Sequence, residues 1–311
     1  MRTIYYSHPD CLKHVTPRGH PEQVARLEAI SAYLSDVRFD GLTRVEAPLG
    51  EIDDVLLCHP QRYIDRIEDA LPASGWASLD ADTHLSPGSL TAALRGVGAV
   101  VAAVDSVLAG DAANAFVGCR PPGHHAETET AMGFCLFGNI SIAAKHALER
   151  HGLERVAVVD FDVHHGNGTQ DLLWNEARSL FISSHQMPLY PGTGAPSERG
   201  AHDNVINLPL DPGTGGAAMR RAYEDWALPA LEAFEPQLVL ISAGFDAHAA
   251  DPLANLNWTT EDFSWLTGRI CDVAAACCDG RVVSTLEGGY DLDALGQSVA
   301  AHVQVLMERS G

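Results

Sequence analysis

The sequence predicts a single α/β domain, residues 1–311, with a parallel sheet flanked by helices. Short β-rich apolar runs alternate with longer helical patterns, the signature of parallel strands joined by crossover helices. Several strand runs are apolar on successive residues, as expected when helices cover both sheet faces. No low-complexity tract, long linker, repeat or composition shift divides the chain, and 311 residues with 46% hydrophobic content suffice for one large core.

In chain order, about the first 60 residues carry the weakest pattern. They read as extended loops with one or two helices, one of them around PEQVARLEAISAYLSD at 21–36. A helical pattern at 89–110 leads to the strand AFVGC at 115–119, and a second at 139–152 leads to VAVVD at 156–160. LFISS at 180–184 and NVINL at 204–208 follow as strands, then a helix at 216–234 and the strand LVLISA at 238–243. A helix at 260–278, the strand VVSTLE at 282–287 and a helix at 293–310 complete the alternation. Thr260, ahead of Glu261 and Asp262, suits an N-cap with an acidic first turn, while Gly110 and Gly152 suit helix stops.

Composition narrows the function classes. A net charge of −21 argues against nonspecific nucleic-acid or anionic-membrane binding, since both need a basic surface. It is compatible with a cationic substrate and otherwise reads as a solubilising acidic surface. No run of 18 or more apolar residues marks a transmembrane helix, and MRTIYYSHPDCLKH lacks the apolar middle of a signal peptide. Seven scattered cysteines without a C-x-x-C pair read as reduced packing residues, so a cytoplasmic protein is expected.

The chemistry-bearing residues fall just after strands. AFVGC leads into RPPGHHAETETAMGF, VAVVD into FDVHHGNGTQ, LFISS into HQMPLYPGTGAPSERG, LVLISA into GFDAHAADPL, and VVSTLE into GGYDLDAL. In an open parallel sheet the carboxyl ends of strands share one edge, where such folds place their sites.

Asp162 and His164 stand at i, i+2, so in an extended segment both side chains point the same way and can grip one ion. In isolation, D-x-H reads equally as a turn cap beside a core histidine. Asp246, just past another buried strand, supplies a third ligand. Two carboxylates and one imidazole leave coordination positions open, as a catalytic site requires. The set suits zinc and is also compatible with ferrous iron or cobalt. Asp160 is expected behind the ligands, and His165 as a loop residue.

The tandem His124 and His125 follow two stiffening prolines and a glycine, and can serve as general base and as general acid or electrostatic partner. Asp160 and Asn167 are the candidate orienters; a carboxylate raises imidazole basicity more than an amide does, so the two roles differ. Tyr290, after Gly288 and Gly289, can donate its phenol to a developing oxyanion.

Taken together, RPPGHHA, DFDVHHGNGTQ, YPGTGAPSERG, SAGFDAHAADPL and LEGGYDL resemble the metal-dependent histone deacetylase family, in the class II-like branch that includes bacterial amidohydrolases. The resemblance runs from about residue 5 to residue 300, with the motifs in the family's order. It implies the arginase/deacetylase fold with a parallel sheet of about eight strands, and metal ligands at Asp162, His164 and Asp246. It further implies tandem histidines at His124 and His125, a catalytic tyrosine at Tyr290, and an acyl-lysine tunnel at Gly133, Phe134, Tyr190, Leu253 and Gly288.

Structural potassium sites are implied near the backbone of Asp160, Asp162 and His164, with Ser183 close by, and a rim aspartate at Asp82. Two positions depart from common family patterns. Asn167 stands where many relatives carry aspartate, which would leave His125 less basic than His124, and Tyr190 adds a hydroxyl to a tunnel wall that is more often phenylalanine.

The implied reaction is zinc-dependent hydrolysis of an N-acyl amide, most simply removal of acetyl from lysine side chains of a peptide or protein. An acetylpolyamine or other small N-acyl amine is the alternative substrate. A two-manganese ureohydrolase would need extra bridging carboxylates, whereas here Ala247 and His248 follow Asp246 and Asn167 offers an amide. A non-catalytic acyl-lysine binding module would lack the tyrosine or the histidines. The loops at 6–26 and 75–90 carry no long insertion that would narrow the entrance, and the oligomeric state is not readable.

Overall fold

The computed structural model describes residues 2–310, so the end residues of the expected 1–311 unit, 1 and 311, lie outside the described residues. The chain opens with β1 (Thr3–Ser7), α1 (Ala25–Leu34), β2 (Thr43–Glu46), α2 (Ile52–Val55) and α3 (Gln61–Asp69). A small ladder of β3 (Ala77–Ser78) and β4 (His84–Leu85) precedes α4 (Ser89–Leu108), β5 (Asn114–Val117), α5 (Asn139–Arg150) and β6 (Val156–Asp160). Next come α6 (Asn167–Leu173), β7 (Ser179–Gln186), β8 (Val205–Leu210), α7 (Gly216–Ala222) and α8 (Leu228–Phe234). The chain closes with β9 (Leu238–Ala243), α9 (Thr260–Cys278), β10 (Val282–Leu286) and α10 (Leu292–Glu308).

The main sheet has eight strands, all parallel, in the order β2-β1-β5-β10-β9-β6-β7-β8, as the α/β reading anticipates. Strands β5, β6, β9 and β10 are buried at every residue, which is why their sequences are apolar without alternation. Helices α4 and α5 pack together on central strands, while α10 packs with α1 and α9. Asp160 on β6 lies in register with Ser183 on β7 and Ser242 on β9, and Ser242 with Thr285 on β10. The loops that leave these positions therefore emerge along one edge.

The structure departs from the sequence expectations at several places. Two strands, β1 and β2, lie in the segment read as loops. β2 is the sheet edge and alternates between partly buried and exposed residues, so it lacks a central strand's continuous apolar signal. The helix expected at 216–234 contains a π turn at Tyr223–Ala227, where the Leu228 N–H bonds to the Tyr223 carbonyl. Pro229 has no N–H to continue the α ladder, which accounts for the shifted register. The N-cap of α9 is Thr259 rather than Thr260, in a capping box with Asp262.

Helix α4 is long and apolar enough by length and composition to cross a membrane, with a mean hydropathy of 1.5. Here its apolar face, including Ala92, Val97, Val100 and Val104, is buried in the protein. Arg95 interrupts that apolarity and pairs with Asp10 at 2.9 Å.

Candidate active site

Asp162 and His164 follow β6, Asp246 follows β9, and these strands are neighbours in the sheet. All three side chains are buried. His164 Nδ1 lies 3.1 Å from Asp162 Oδ1 and 3.2 Å from Asp246 Oδ2, and one ligand atom from each residue lies within 4.8 Å of the others. The convergence does not come from strand alternation, as the i, i+2 spacing suggests, because the chain bends after Asp160. Carboxylates hold the bend by accepting backbone N–H groups: Asp160 Oδ1 from Asp162 (3.1 Å), Asp162 Oδ1 from His164 (2.9 Å) and Asp246 Oδ1 from Val163 (2.9 Å).

The outer oxygen of Asp162 accepts the Gly288 N–H at 2.8 Å. Asp246 Oδ2 is buried and takes no hydrogen bond. Burial and the nearby Asp162 both raise the Asp246 carboxyl above its ordinary value. Burying a carboxylate oxygen without a hydrogen bond costs free energy unless a cation meets it. The donor set therefore fits a divalent ion held by two carboxylate oxygens and one imidazole nitrogen, with room for further ligands.

His124 and His125 lie beside this cluster, their ring centroids 4.0 Å apart. His124 Nδ1 contacts Asp160 Oδ2 at 3.0 Å and His125 Nδ1 contacts Asn167 Oδ1 at 2.7 Å. The Asn167 amide donates from Nδ2 to Glu127 Oε1 at 2.8 Å, which turns its oxygen toward His125. The proton on His125 accordingly sits on Nδ1, leaving Nε2 as the lone-pair nitrogen. Burial opposes charge on His124, but the carboxylates of Asp162 and Asp160 outweigh it and hold this imidazole well above its ordinary value. Burial, with His124 and His164 nearby, holds His125 well below.

Sequence reasoning missed the group that fixes this loop. Glu287, the last residue of the expected VVSTLE strand, accepts the N–H groups of Gly123 (2.7 Å) and His124 (3.1 Å) and the Ser242 hydroxyl (3.1 Å). It also missed Asp251, which accepts the Tyr290 N–H at 2.7 Å and the Leu253 N–H at 3.0 Å. Burial and then the neighbouring Asp246 push the Asp251 carboxyl up to about 7. Arg26 lies over the Tyr290 ring at 5.0 Å and donates to the Gly289 carbonyl at 2.7 Å.

A cavity of about 360 Å³ opens above His125, His164 and Tyr290. Gly133, Phe134, Tyr190 and Leu253 line it, and Asp82 stands at its wall. Gly133 adopts φ +55°, and a Cβ there would sit 2.4 Å from His125 Cδ2, so only glycine permits this approach. Gly288, expected in the tunnel, lies against the Asp162 and Asp246 carboxylates. A Cβ there would come within 2.0 Å of Asp246 Oδ2. The loops expected to leave the entrance open form part of its wall, through His20 and Pro21 together with Ala81, Asp82 and His84, and His20 touches both the Asp82 carbonyl and the His84 ring. His165 is a loop residue but a fixed one, buried and bonded to Thr193 (2.8 Å) and Gln170 (3.1 Å).

A family profile described as Histone deacetylase domain matches residues 20–306. The Histone deacetylase-like amidohydrolase of Pseudomonas aeruginosa is 45% identical over 284 residues, covering 88% of this chain and 73% of that one. A Probable deacetylase of Archaeoglobus fulgidus is 38% identical over 303 residues, covering 94% of this chain and 82% of the relative. The crystal structure of the HDA15 HD domain superposes with a TM-score of 0.94 at 32% identity, covering 99% of this chain and 88% of that chain. With the profile match spanning most of its length and these relatives aligned along it, the chain belongs to the histone deacetylase family.

Proposed function

We propose that this chain is a zinc-dependent deacetylase that hydrolyses the amide of acetylated lysine side chains in peptides or proteins. The single observation that carries the metal is Oδ2 of Asp246, buried without a well-formed hydrogen bond, 3.2 Å from His164 Nδ1 and beside Asp162. Asp162, His164 and Asp246 would hold the ion, which supplies Lewis acidity toward the amide carbonyl and lowers the pKa of a bound water.

The remaining chemistry belongs to the chain. His125, neutral and with Nε2 free, takes a proton from the nucleophilic water. His124, charged between Asp160 and Asp162, stabilises developing negative charge and supplies a proton to the departing amine. Tyr290 donates its phenol O–H to the oxyanion as the carbonyl becomes tetrahedral. Water adds to the carbonyl carbon, the C–N bond breaks, and the products are acetate and the free amine. Phe134, edge-on to Tyr290 with ring centroids 5.8 Å apart, and Tyr190, edge-on to His125 at 5.3 Å, would flank the acyl-lysine stem.

Acetylated polyamines are the second reading, favoured by Asp82 at the cavity wall and the net charge of −21. Seven free cysteines support a reducing compartment, for which we propose the cytoplasm. The test is turnover of a fluorogenic acetyl-lysine peptide before and after chelation and on zinc return, beside a panel of acetylpolyamines compared by kcat/KM. Loss on chelation with recovery on zinc supports the metal assignment; full turnover by metal-free protein refutes it. A higher kcat/KM for acetylpolyamines would move the substrate to that class.

A further inference from the structure

A second cluster of metal-type ligands lies away from the catalytic edge. Helices α4 and α5 run toward the starts of β5 and β6, so their C-terminal ends lie at the sheet edge opposite the cavity. There Asp105, in the last turn of α4, faces His146 on α5 and His151 at the C-cap of that helix. Both imidazoles turn Nε2 onto the same oxygen, Asp105 Oδ1, each at 2.7 Å. The rings stand edge to face with centroids 5.2 Å apart. Gly152, at φ +68°, turns the chain after His151 and ends the helix there.

We propose that Asp105, His146 and His151 form a second divalent-metal site, selective for zinc, that ties the C-terminal ends of α4 and α5 together. Two imidazoles and one carboxylate select zinc over magnesium or calcium and leave a fourth position for water. Zinc bonds of about 2.0–2.2 Å in a tetrahedron separate ligand atoms by about 3.3 Å, so each 2.7 Å contact must open by about 0.6 Å. The side chains of Asp105 and His151 are 51% and 31% exposed and can make that movement, while His146, at 9%, is the fixed anchor. His146 Nδ1 is buried without a hydrogen-bond partner. A ligand imidazole lacking its outer acceptor binds about 10- to 100-fold more weakly than one that has it, so this is a site of moderate affinity.

The test is zinc content by equilibrium dialysis and elemental analysis of the intact protein, with melting temperature read at the same free zinc. His151→Ala and Asp105→Asn alter exposed ligands and avoid disturbing the buried His146. The expected result is one zinc equivalent fewer per chain in each variant than in the wild type, with unchanged turnover of an acetyl-lysine peptide. Added zinc should raise the melting temperature of the wild type more than that of either variant. Equal zinc content in all three proteins overturns the proposal, as does loss of turnover together with the extra equivalent.

Discussion

Replacing Asn167 with aspartate tests which of the tandem histidines is the base. His125 Nδ1 lies 2.7 Å from Asn167 Oδ1, and burial with two neighbouring imidazoles holds His125 well below its ordinary value. A carboxylate in place of the amide favours the imidazolium, and an opposite charge at such range shifts a pKa by about 1–3 units. A general base must be unprotonated, so a raised pKa moves the acid limb of the kcat/KM profile upward by about 1–3 pH units. Below the new limb, kcat/KM falls about tenfold per pH unit.

The new carboxylate would also face Glu127, which accepts the Asn167 amide at 2.8 Å. Asn167→Asp is therefore measured alone and combined with Glu127→Gln, which turns that repulsion back into a donated hydrogen bond. The assay is kcat/KM against pH on an acetyl-lysine peptide with zinc saturating. An acid limb that stays in place in both proteins refutes His125 as the base.

Three further outcomes are expected. Tyr290→Phe should lower kcat by about 10²- to 10³-fold with zinc content unchanged, and near-wild-type turnover would remove the oxyanion role. Gly288→Ala places a methyl 2.0 Å from Asp246 Oδ2, so the variant should keep its circular dichroism spectrum but lose its catalytic zinc; full zinc content contradicts the placement against the carboxylates. Burial lowers His302 to about 3, and its ring is engaged by Thr267 (2.7 Å) and Ser284 (2.9 Å). Because its folded value lies below the unfolded value of about 6.5, wild-type stability falls relative to His302→Gln by about 1.4 kcal/mol per pH unit as pH drops from 6.5 toward 4. Urea midpoints with an unchanging gap across that window would contradict it.

Legibility in the sequence followed the physics of each element. β6, β9 and β10 stood out because burial on both faces leaves no exposed position and keeps most of each run apolar. β2 did not, because an edge strand exposes Arg44 and Glu46 and carries neither a central strand's run nor a long alternation. The charges of PEQVAR suggest a solvent-facing helix start, yet Glu22 and Arg26 are fully buried and paired with one another, and Arg120 joins the same carboxylate from 98 residues away. No local pattern announces a partner at that separation.

The same reasoning separates what the site motifs reveal from what they conceal. Residue type exposed Asp162, His164 and Asp246, because acids and an imidazole directly after apolar strands have few structural uses. Geometry stayed hidden, because it depends on hydrogen bonds that cross the sheet. Asp246 holds the Val163 N–H, Glu287 holds the His124 N–H, and Asp251 holds the Tyr290 N–H. The segments that carry Val163, His124 and Tyr290 are thus each held by an acidic residue from another strand's end, and two of those acids, Glu287 and Asp251, read in sequence as ordinary turn or strand-end carboxylates. Such carboxylates are costly to bury, and Glu287 and Asp251 are each pushed up to about 7. Charge-assisted bonds to backbone N–H groups offset part of that cost, and they hold the loops where the proposed chemistry needs them.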